Sequence, residues 1–247
     1  MVILKTPGEI AVMREGGRRL AKILQEIVLQ TKAGVTQKEI NKLAEKLAYK
    51  FGGRPSFLNY KNYPASLCVS VNNEVVHGLP KNREFKKGDI VGLDFGFWYK
   101  GLCTDMAITC GVGKISPQAE RLILTTKKAL ELGEAEVRPG NYIGDISFTI
   151  QNYVEKQGFS VVRELVGHGV GKKVHEDPKI PNFGKKGEGI KLKTGMALAL
   201  EPMVNMGTWK VKLLADGWTF VTADGKLSAH FEHTVAVTKD GYEVLTK

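Results

Sequence analysis

The chain has 247 residues, of which 43% are hydrophobic and 25% are charged, an ordinary composition for a globular protein with one substantial core. No segment has the apolar length of a membrane span, and the first residues lack the apolar core and cleavage site of a secretion signal. Three cysteines, Cys68, Cys103 and Cys110, are an odd number without zinc-ribbon spacing, which favours a reducing compartment. We therefore expect a cytoplasmic protein that spans no membrane.

Basic residues outnumber acidic residues 36 to 26, which gives a formal net charge of +10. They are spread along the chain in short clusters such as Lys185-Lys186, and no aromatic-studded RNA-binding signature accompanies them. The charge therefore predicts a solvated basic surface and no specific DNA target. A general positive field would still favour visits to a polyanion.

Capping signals predict four helices. Thr6-Pro7-Gly8-Glu9 opens the first helix and Thr36-Gln37-Lys38-Glu39 opens the second. Ser116-Pro117 opens a third helix that runs to about Gly133, and a fourth runs from about Tyr142 to Gln157. The residues expected to face the core are Ile10, Met13, Gly17, Leu20, Leu24 and Ile27 in the first helix, Ile40, Leu43, Leu47 and Phe51 in the second, and Ile143, Ile146, Ile150 and Tyr153 in the fourth.

Short apolar runs between these helices predict β-strands. The predicted strands are Leu67–Val71, Asp89–Trp98, Leu102–Cys110, Ala197–Met203, Trp218–Val221 and His230–Val237. No proline-rich or low-complexity linker divides the chain. We therefore expect residues 1–247 to form a single α/β (α+β) domain.

Two pairs of segments repeat with nearly the same spacing. Lys87–Asp94 and Thr194–Glu201 each place a glycine before an apolar run that ends in a carboxylate. Gly34–Ile40 and Gly140–Ile146 share a glycine, an acid five residues later and an isoleucine. Chance is the alternative, because a glycine followed by apolar residues is common. We interpret the pattern as a diverged duplication whose halves face each other across a pseudo-two-fold axis.

This duplication divides the chain into halves of about residues 1–110 and 111–247. Each half ends a buried strand with a carboxylate, Asp94 in the first and Glu201 in the second. A buried carboxylate is costly unless it is paired, protonated or bound to a metal. Two such acids near one axis therefore need a cation.

Asp105 lies on the strand that follows the strand of Asp94. If Tyr99 and Lys100 form a two-residue loop, the two aspartates pair directly, with Cβ atoms about 5 Å apart, close enough to share a metal. Gly101 offers an alternative, because a three-residue loop with a bulge would shift the register by one.

The second half adds His168 among glycines and Glu232 in an apolar strand. In that strand His230 and Glu232 share one face, while Phe231 and His233 share the other. Taken singly, such a histidine is more often a hydrogen-bonded loop residue, and such a glutamate is more often exposed. Four carboxylates with one glycine-flanked histidine instead fit a two-metal site of mostly oxygen ligands.

An ordered set of motifs resembles the type I methionine aminopeptidases over essentially the whole chain. The motifs are His77-Gly78-Leu79-Pro80, Asp94 with Asp105, Gly167–Gly171 with His175, Glu201-Pro202-Met203, and Ser228–Thr234. The resemblance implies the pita-bread fold, in which two pseudo-symmetric halves, with a central antiparallel sheet and flanking helices, surround a dinuclear metal centre.

The resemblance also implies two divalent metal ions per chain, with ligands at Asp94, Asp105, His168, Glu201 and Glu232. Asp105 and Glu232 are implied to bridge both ions, Asp94 to bind one of them, and His168 and Glu201 to bind the other. Cobalt, manganese, iron(II) or zinc suits such a site.

The implied reaction is removal of the initiator methionine from nascent proteins, with a small second residue preferred. A metal-bound hydroxide is implied to attack the scissile carbonyl. Glu201 is the implied proton shuttle, and His77 and His175 are implied to bind substrate and stabilise the tetrahedral intermediate. For both histidines a purely structural role is the alternative.

An apolar pocket for the methionine side chain should contain soft or aromatic groups. The residues that match the family's pocket are Tyr60, Tyr63, Cys68 and Trp218. Phe57 and Val174 depart from it, because other members carry cysteine and phenylalanine at these two positions. The departure leaves the ligand set intact and bears on the pocket's shape and on how strictly methionine is preferred.

Three other hypotheses compete with assignment to the methionine aminopeptidases. The first is an X-Pro peptidase or prolidase of the same fold, whose members usually carry an additional N-terminal domain. The second is a metal-free protein of this fold that binds RNA or ribosomes, which should have lost ligand residues. The third is a basic RNA-binding protein without enzymatic activity. The resemblance favours a monomeric enzyme, and the charge adds the hypothesis of transient ribosome contact.

Overall fold

The computed structural model describes residues 2–247. It contains four α-helices in two consecutive pairs, one pair in each half of the chain. They are α1 (Pro7–Gln30), α2 (Gln37–Lys50), α3 (Pro117–Ala135) and α4 (Ile143–Lys156). Within residues 2–247, no helix is both long and apolar enough to cross a bilayer.

The first two helices begin at the predicted capping boxes. Thr6 Oγ1 accepts the N–H of Glu9 at 3.2 Å, while Glu9 Oε2 accepts the N–H of Thr6 at 2.7 Å. Thr36 and Glu39 repeat this exchange at 3.2 and 2.8 Å. Each box satisfies two backbone donors that the helix itself cannot satisfy. Local sequence therefore determines where these helices start.

Fifteen β-strands are present within residues 2–247. They are β1 (Arg54–Pro55), β2 (Cys68–Val71), β3 (Glu74–Val76), β4 (Ile90–Tyr99), β5 (Leu102–Gly111), β6 (Ser160–Val161), β7 (Val166–Gly169), β8 (Glu176–Pro181), β9 (Ala197–Leu200), β10 (Met203–Asn205), β11 (Val211–Leu213), β12 (Phe220–Thr222), β13 (Ser228–His230), β14 (Glu232–Val237) and β15 (Tyr242–Val244).

A nine-stranded sheet forms the centre of the molecule. Its main path runs β1-β4-β5-β14-β9-β7-β8, with β2 also paired to β4 and β15 to β14. All of these pairings are antiparallel. Two smaller sheets, β13-β10-β6 and β11-β12-β3, flank it. Because β5 pairs with β14, the sheet is continuous between the strands of the two chain halves.

The helices cover the sheet in two separate hydrophobic clusters. Leu20 and Leu24 of α1 are buried with Phe95 of β4 in the first-half cluster. Ile146 and Ile150 of α4 are buried in the second-half cluster, which also contains strand residues of β9. Most of the predicted inward positions are buried, whereas Ile10, Leu43, Phe51 and Tyr153 are only partly buried.

The predicted register between β4 and β5 is wrong by two residues, because the turn lies one residue further along the chain than expected. Tyr99 pairs with Leu102, so the turn consists of Lys100 and Gly101, which have φ values of 46° and 80°. Two left-handed residues are what a tight two-residue hairpin turn requires, and glycine adopts this conformation readily. Tyr99 therefore joins the strand instead of the loop.

As a result, Asp94 lies opposite Ala107, and Asp105 lies opposite Gly96. The two aspartates are diagonal neighbours and do not form a direct pair. A shift of two residues in the pairing preserves the side-chain alternation, so both carboxylates still point to the same face of the sheet.

Two predicted strands are each divided between two sheets. Ala197–Met203 breaks after Leu200, and His230–Val237 breaks at Phe231. Pro202 has no N–H to continue a ladder, and at the same level β10 and β13 pair with each other in a separate sheet. The break at Phe231 separates the strand of His230 from the strand of Glu232, while His230 Nε2 still lies 4.0 Å from Glu232 Oε2.

A buried ion pair ties the segment before α1 to the second half of the chain. Lys5 Nζ bonds the carboxylate of Glu176 in β8, and the side chains of both residues are 1% exposed. Lys5 Nζ also donates to the carbonyl of Ile3 at 3.1 Å. Removing one partner of such a pair leaves an uncompensated buried charge, whereas removing both does not.

We expect Lys5→Met to lower the free energy of unfolding by about 3–5 kcal/mol. The double variant Lys5→Met, Glu176→Met should recover most of this loss. Urea unfolding measures both changes. The matched control is Lys128→Met, which removes an exposed pair with Glu131 and should cost less than about 1 kcal/mol. Equal losses in Lys5→Met and Lys128→Met would contradict the role given to burial.

Candidate metal centre and active site

Every site residue predicted from the sequence lines one cavity of about 140 Å³. Phe57 and Lys61 complete its wall, whereas Val174 is buried and is not among the lining residues. The predicted members are Asp94, Asp105, His168, Glu201, Glu232, His77, His175, Tyr60, Tyr63, Cys68 and Trp218. Carboxylates, histidines and apolar pocket residues are therefore parts of a single site.

Five adjacent strands of the central sheet position the carboxylates and His168. Asp94 lies in β4, Asp105 in β5, Glu232 at the start of β14, Glu201 just after β9, and His168 in β7. These strands are neighbours in the order β4-β5-β14-β9-β7. The sheet therefore brings residues that are far apart in sequence together on neighbouring strands.

A threonine hydroxyl fixes the backbone of Asp105. Thr234 Oγ1 accepts the N–H of Asp105 at 2.8 Å and donates to the carbonyl of Asp105 at 2.8 Å. Thr234 belongs to β14, the strand that carries Glu232. The hydroxyl bonds thus hold Asp105 and Glu232 in a fixed relation.

Glycines on both sides of His168 allow neighbouring backbone to approach closely. A Cβ at Gly167 would lie 2.5 Å from the carbonyl oxygen of Ala199, and one at Gly169 would lie within 2.2 Å of the carbonyl oxygen of Asp177. His168 Nδ1 donates to the carbonyl of Gly169 at 2.9 Å. This bond leaves the Nε2 lone pair free for a metal, at 3.5 Å from Glu201 Oε1.

The four carboxylates are strongly perturbed by burial and by one another. Burial raises the pKa of Asp94 to about 7. Burial, followed by repulsion from neighbouring carboxylates, raises the pKa values of Asp105, Glu201 and Glu232 well above the ordinary range. Without a cation, the four groups cannot all be ionised near neutral pH.

The donor set fits a divalent metal site. Ligand atoms of Asp105, His168 and Glu232 all lie within 4.8 Å of one another. Asp94 Oδ1 and Glu232 Oε1 are buried and have no hydrogen-bond partner among residues 2–247. Carboxylate oxygens with one imidazole nitrogen suit borderline and hard divalent ions. An ion there would satisfy these oxygens and offset the repulsion between the carboxylates.

Two further histidines face the same cavity. His77 is held in the left-handed region at φ 57°, and burial, followed by the charge of Lys61, lowers its pKa to about 4. His175 Nδ1 lies 2.9 Å from the Tyr60 hydroxyl, and its ring centroid lies 4.2 Å from that of His168. Desolvation, followed by the charge of His168, lowers its pKa to about 3. Both rings are therefore neutral at pH 7.

One end of the cavity is apolar and aromatic. Tyr63 packs edge-to-face against Trp218 with ring centroids 5.1 Å apart, and its hydroxyl donates to the carbonyl of Gly78 at 2.9 Å. Burial raises the pKa of the Cys68 thiol well above its usual value, so the thiol stays neutral. Sulfur and aromatic faces of this kind contact a thioether favourably.

Sequence reasoning assigned no role to His230, which the structure places at the carboxylate cluster. Its ring is buried, and Nε2 lies 3.8 Å from Glu201 Oε2 and 4.0 Å from Glu232 Oε2. The available signal was its position two residues before Glu232 in the Ser228–Thr234 motif. His230 was predicted to share the strand face of Glu232, without a function of its own.

Comparisons with known proteins agree with this geometry. Residues 11–239 match the family model described as metallopeptidase family M24. The chain is 52% identical to a methionine aminopeptidase of Clostridium perfringens, over all of this chain and 99% of that protein. It is 49% identical to methionine aminopeptidase 1 of Bacillus subtilis, over the full length of both. The chain therefore belongs to the methionine aminopeptidases of metallopeptidase family M24.

Solved structures confirm the predicted fold class. A crystal structure of methionine aminopeptidase from Thermotoga maritima superimposes with a TM-score of 0.98, at 45% identity over all of both chains. A prolidase from Pyrococcus horikoshii superimposes with a TM-score of 0.81 at 21% identity, over all of this chain and 64% of the prolidase. The second likeness shows the shared pita-bread fold alone.

The raised carboxylate pKa values predict how the stability of metal-free protein depends on pH. Because the pKa of Asp94 is about 7 in the folded state against 3.8 ordinarily, the folded state binds more protons than the unfolded state between these values. The resulting stabilisation is complete below about pH 4 and is lost as the pH rises through about 7. Asp105, Glu201 and Glu232 act in the same direction.

The neutral histidines His77 and His175, with pKa values of about 4 and 3, act in the opposite direction. The carboxylate effect is therefore measured against Asp94→Asn: between pH 5 and pH 8, the Tm of chelator-treated wild type should fall by at least about 4 °C relative to that variant. Adding manganese should reverse the trend, because the ion binds the deprotonated carboxylates. Differential scanning calorimetry with and without the metal measures both trends. A wild-type Tm that rises relative to Asp94→Asn over this interval would contradict the assignment.

Proposed function

We propose that this chain removes the N-terminal methionine from nascent proteins in a metal-dependent hydrolysis. The observation that carries the proposal is the single cavity in which buried carboxylates and His168 adjoin an apolar, thiol- and aromatic-lined end. Hydrolysis needs the first part, and recognition of a thioether side chain needs the second. The names of the Clostridium perfringens and Bacillus subtilis relatives support the same activity.

The proposed metal ligands are Asp94, Asp105, His168, Glu201 and Glu232. These five residues would hold two divalent ions, drawn from manganese, iron(II), cobalt and zinc. Ions bound there would polarise the scissile carbonyl and make a water molecule more acidic. The clustering of Asp105, His168 and Glu232 ligand atoms supports this assignment.

Glu201 is the proposed proton carrier. Its carboxylate faces the cavity beside His168. It would accept a proton from the attacking water and deliver it to the amine that leaves.

His77 and His175 are proposed to donate N–H groups to the oxygen on which negative charge develops. Both rings are neutral and line the cavity wall. Such donors act mainly on the transition state, where their bonds strengthen. Tyr60 is proposed to hold the His175 ring through the contact at 2.9 Å.

The proposed methionine pocket comprises Tyr60, Tyr63, Cys68 and Trp218, with Phe57 as an additional wall. Phe57 adds an aromatic surface, and Val174 contributes none because it lies outside the lining. A small second residue is the proposed preference of the neighbouring subsite. The chain is proposed to fold as one domain, residues 1–247, and to act as a monomer in the cytoplasm.

The decisive experiment measures methionine release from Met-Ala-Ser by chelator-treated protein with manganese, cobalt or iron(II) restored. We expect metal-dependent release, with Leu-Ala-Ser and Ala-Pro left intact. His175→Ala should lower kcat about 100- to 1,000-fold, as loss of one transition-state donor does.

Two controls make the result interpretable. Asp105→Asn should lose both metal binding and activity, while His175→Ala keeps metal binding. Cleavage of Ala-Pro in place of Met-Ala-Ser would assign the protein to the X-Pro peptidases. No cleavage by folded, metal-loaded protein would contradict an enzymatic function.

The net charge of +10 supports a second, weaker proposal of transient ribosome contact. An electrostatic contact with RNA should be strong at low salt and should weaken steeply as salt rises, because condensed counterions are released. Co-sedimentation with ribosomes across a salt series tests it. Absence of binding at the lowest salt would overturn the proposal without affecting the proposed activity.

A further inference from the structure

His230 carries a buried polar atom that has no partner in this structure. Its ring is 2% exposed, and Nε2 forms no hydrogen bond within residues 2–247. Two carboxylate oxygens lie close to Nε2: Oε2 of Glu201 at 3.8 Å and Oε2 of Glu232 at 4.0 Å. Buried polar atoms without partners are rare in folded proteins, so this one needs an explanation.

The position of His230 is fixed by a hydroxyl on the neighbouring strand. Thr109 Oγ1 donates to the carbonyl of His230 at 2.7 Å and accepts the N–H of His230 at 2.9 Å. Thr109 is buried in β5, the strand that also carries Asp105. The histidine is thus attached to the carboxylate strand even though β13 belongs to another sheet.

The same arrangement holds Asp105. Strands β5 and β14 pair through Glu232 with Ala107, and through His233 with Met106. Thr234 extends this ladder at one end by bonding both backbone groups of Asp105 at 2.8 Å, and Thr109 extends it at the other end by bonding His230. The backbone of His230 is therefore held as the backbone of Asp105 is, by a threonine hydroxyl that bonds both its N–H and its carbonyl.

We propose that His230 is a positioning residue for the metal centre: its Nε2–H donates to the carboxylate of Glu201, and the Thr109 hydroxyl sets the place of the ring. The inference rests on the proposed function, because Glu201 is the proposed proton carrier and ligand. The present separations exceed a hydrogen bond, and bonds of this kind often tighten only when a site is loaded. Orienting one carboxylate oxygen leaves the other directed to the metal and the proton.

The test compares His230→Ala with His230→Gln, whose amide can still donate. Titration of manganese into chelator-treated protein should show an affinity loss of about 10- to 100-fold in His230→Ala. His230→Gln should stay within about threefold of the wild type. At saturating manganese, His230→Ala should lower kcat for Met-Ala-Ser and leave KM nearly unchanged, because the pocket residues are untouched. The electron paramagnetic resonance spectrum of bound manganese should change in His230→Ala.

Thr109 provides a second, independent pair of variants. Thr109→Val removes the hydroxyl at nearly constant shape, whereas Thr109→Ser retains it. We expect Thr109→Val to follow His230→Ala in manganese affinity and kcat, and Thr109→Ser to follow the wild type. The matched control is His233→Ala, because His233 pairs with Glu134 at 2.6 Å, away from the carboxylate cluster. That variant should lose thermal stability and keep its manganese affinity.

Folding of each variant is checked by near-ultraviolet circular dichroism. A folded His230→Ala with wild-type manganese affinity and kcat would overturn the proposal, as would a His230→Gln as impaired as His230→Ala. The metal titration needs no peptide substrate. Failure of the proposed function, seen as wild-type protein that binds manganese but releases no methionine, therefore remains distinguishable from failure of this inference.

Discussion

Repulsion among four buried carboxylates is the constraint on which the site depends. Burial of Asp94, Asp105, Glu201 and Glu232 favours their protonated forms, so without cations the four groups cannot all be ionised at neutral pH. An antiparallel sheet suits this task, because its ladder bonds hold the backbones of adjacent strands at fixed spacing. The four carboxylates are thus held close together by backbone hydrogen bonds, which form whatever the ionisation state of the side chains.

Local patterns predicted the helices and failed at the strand register. Thr6 and Thr36 determine helix starts through bonds to residues three positions away, which any reader of the sequence can find. The register of β4 with β5 depends on whether Tyr99 extends the strand, and the left-handed turn at Lys100 and Gly101 decides this. The face on which the aspartates lie was predictable, because it follows from alternation, but their pairing was not.

The members of the site were predictable from motifs, whereas the residues that hold them were not. Asp94 and His168 stand in segments with recognisable glycine and apolar context. Thr109 and Thr234 are ordinary strand threonines in sequence, and they become supports only because antiparallel pairing places each opposite a residue of the site. The bonded residues are more than 100 positions apart in sequence. Their contact depends on the strand register, which a local sequence pattern does not reveal.

Pocket shape and metal geometry are coupled through Gly96. This residue lies opposite Asp105 in the β4–β5 ladder, and a Cβ there would lie 2.9 Å from Cε1 of Phe57 and closer still to the hydroxyl of Ser56. Phe57 can therefore form a wall of the cavity only because its neighbour across β1 and β4 lacks a side chain. A larger residue at this point would displace Phe57 or β4, and with β4 the ladder that holds Asp105. Gly96 is therefore a position at which one substitution would press on the pocket wall and on the strand that pairs with Asp105.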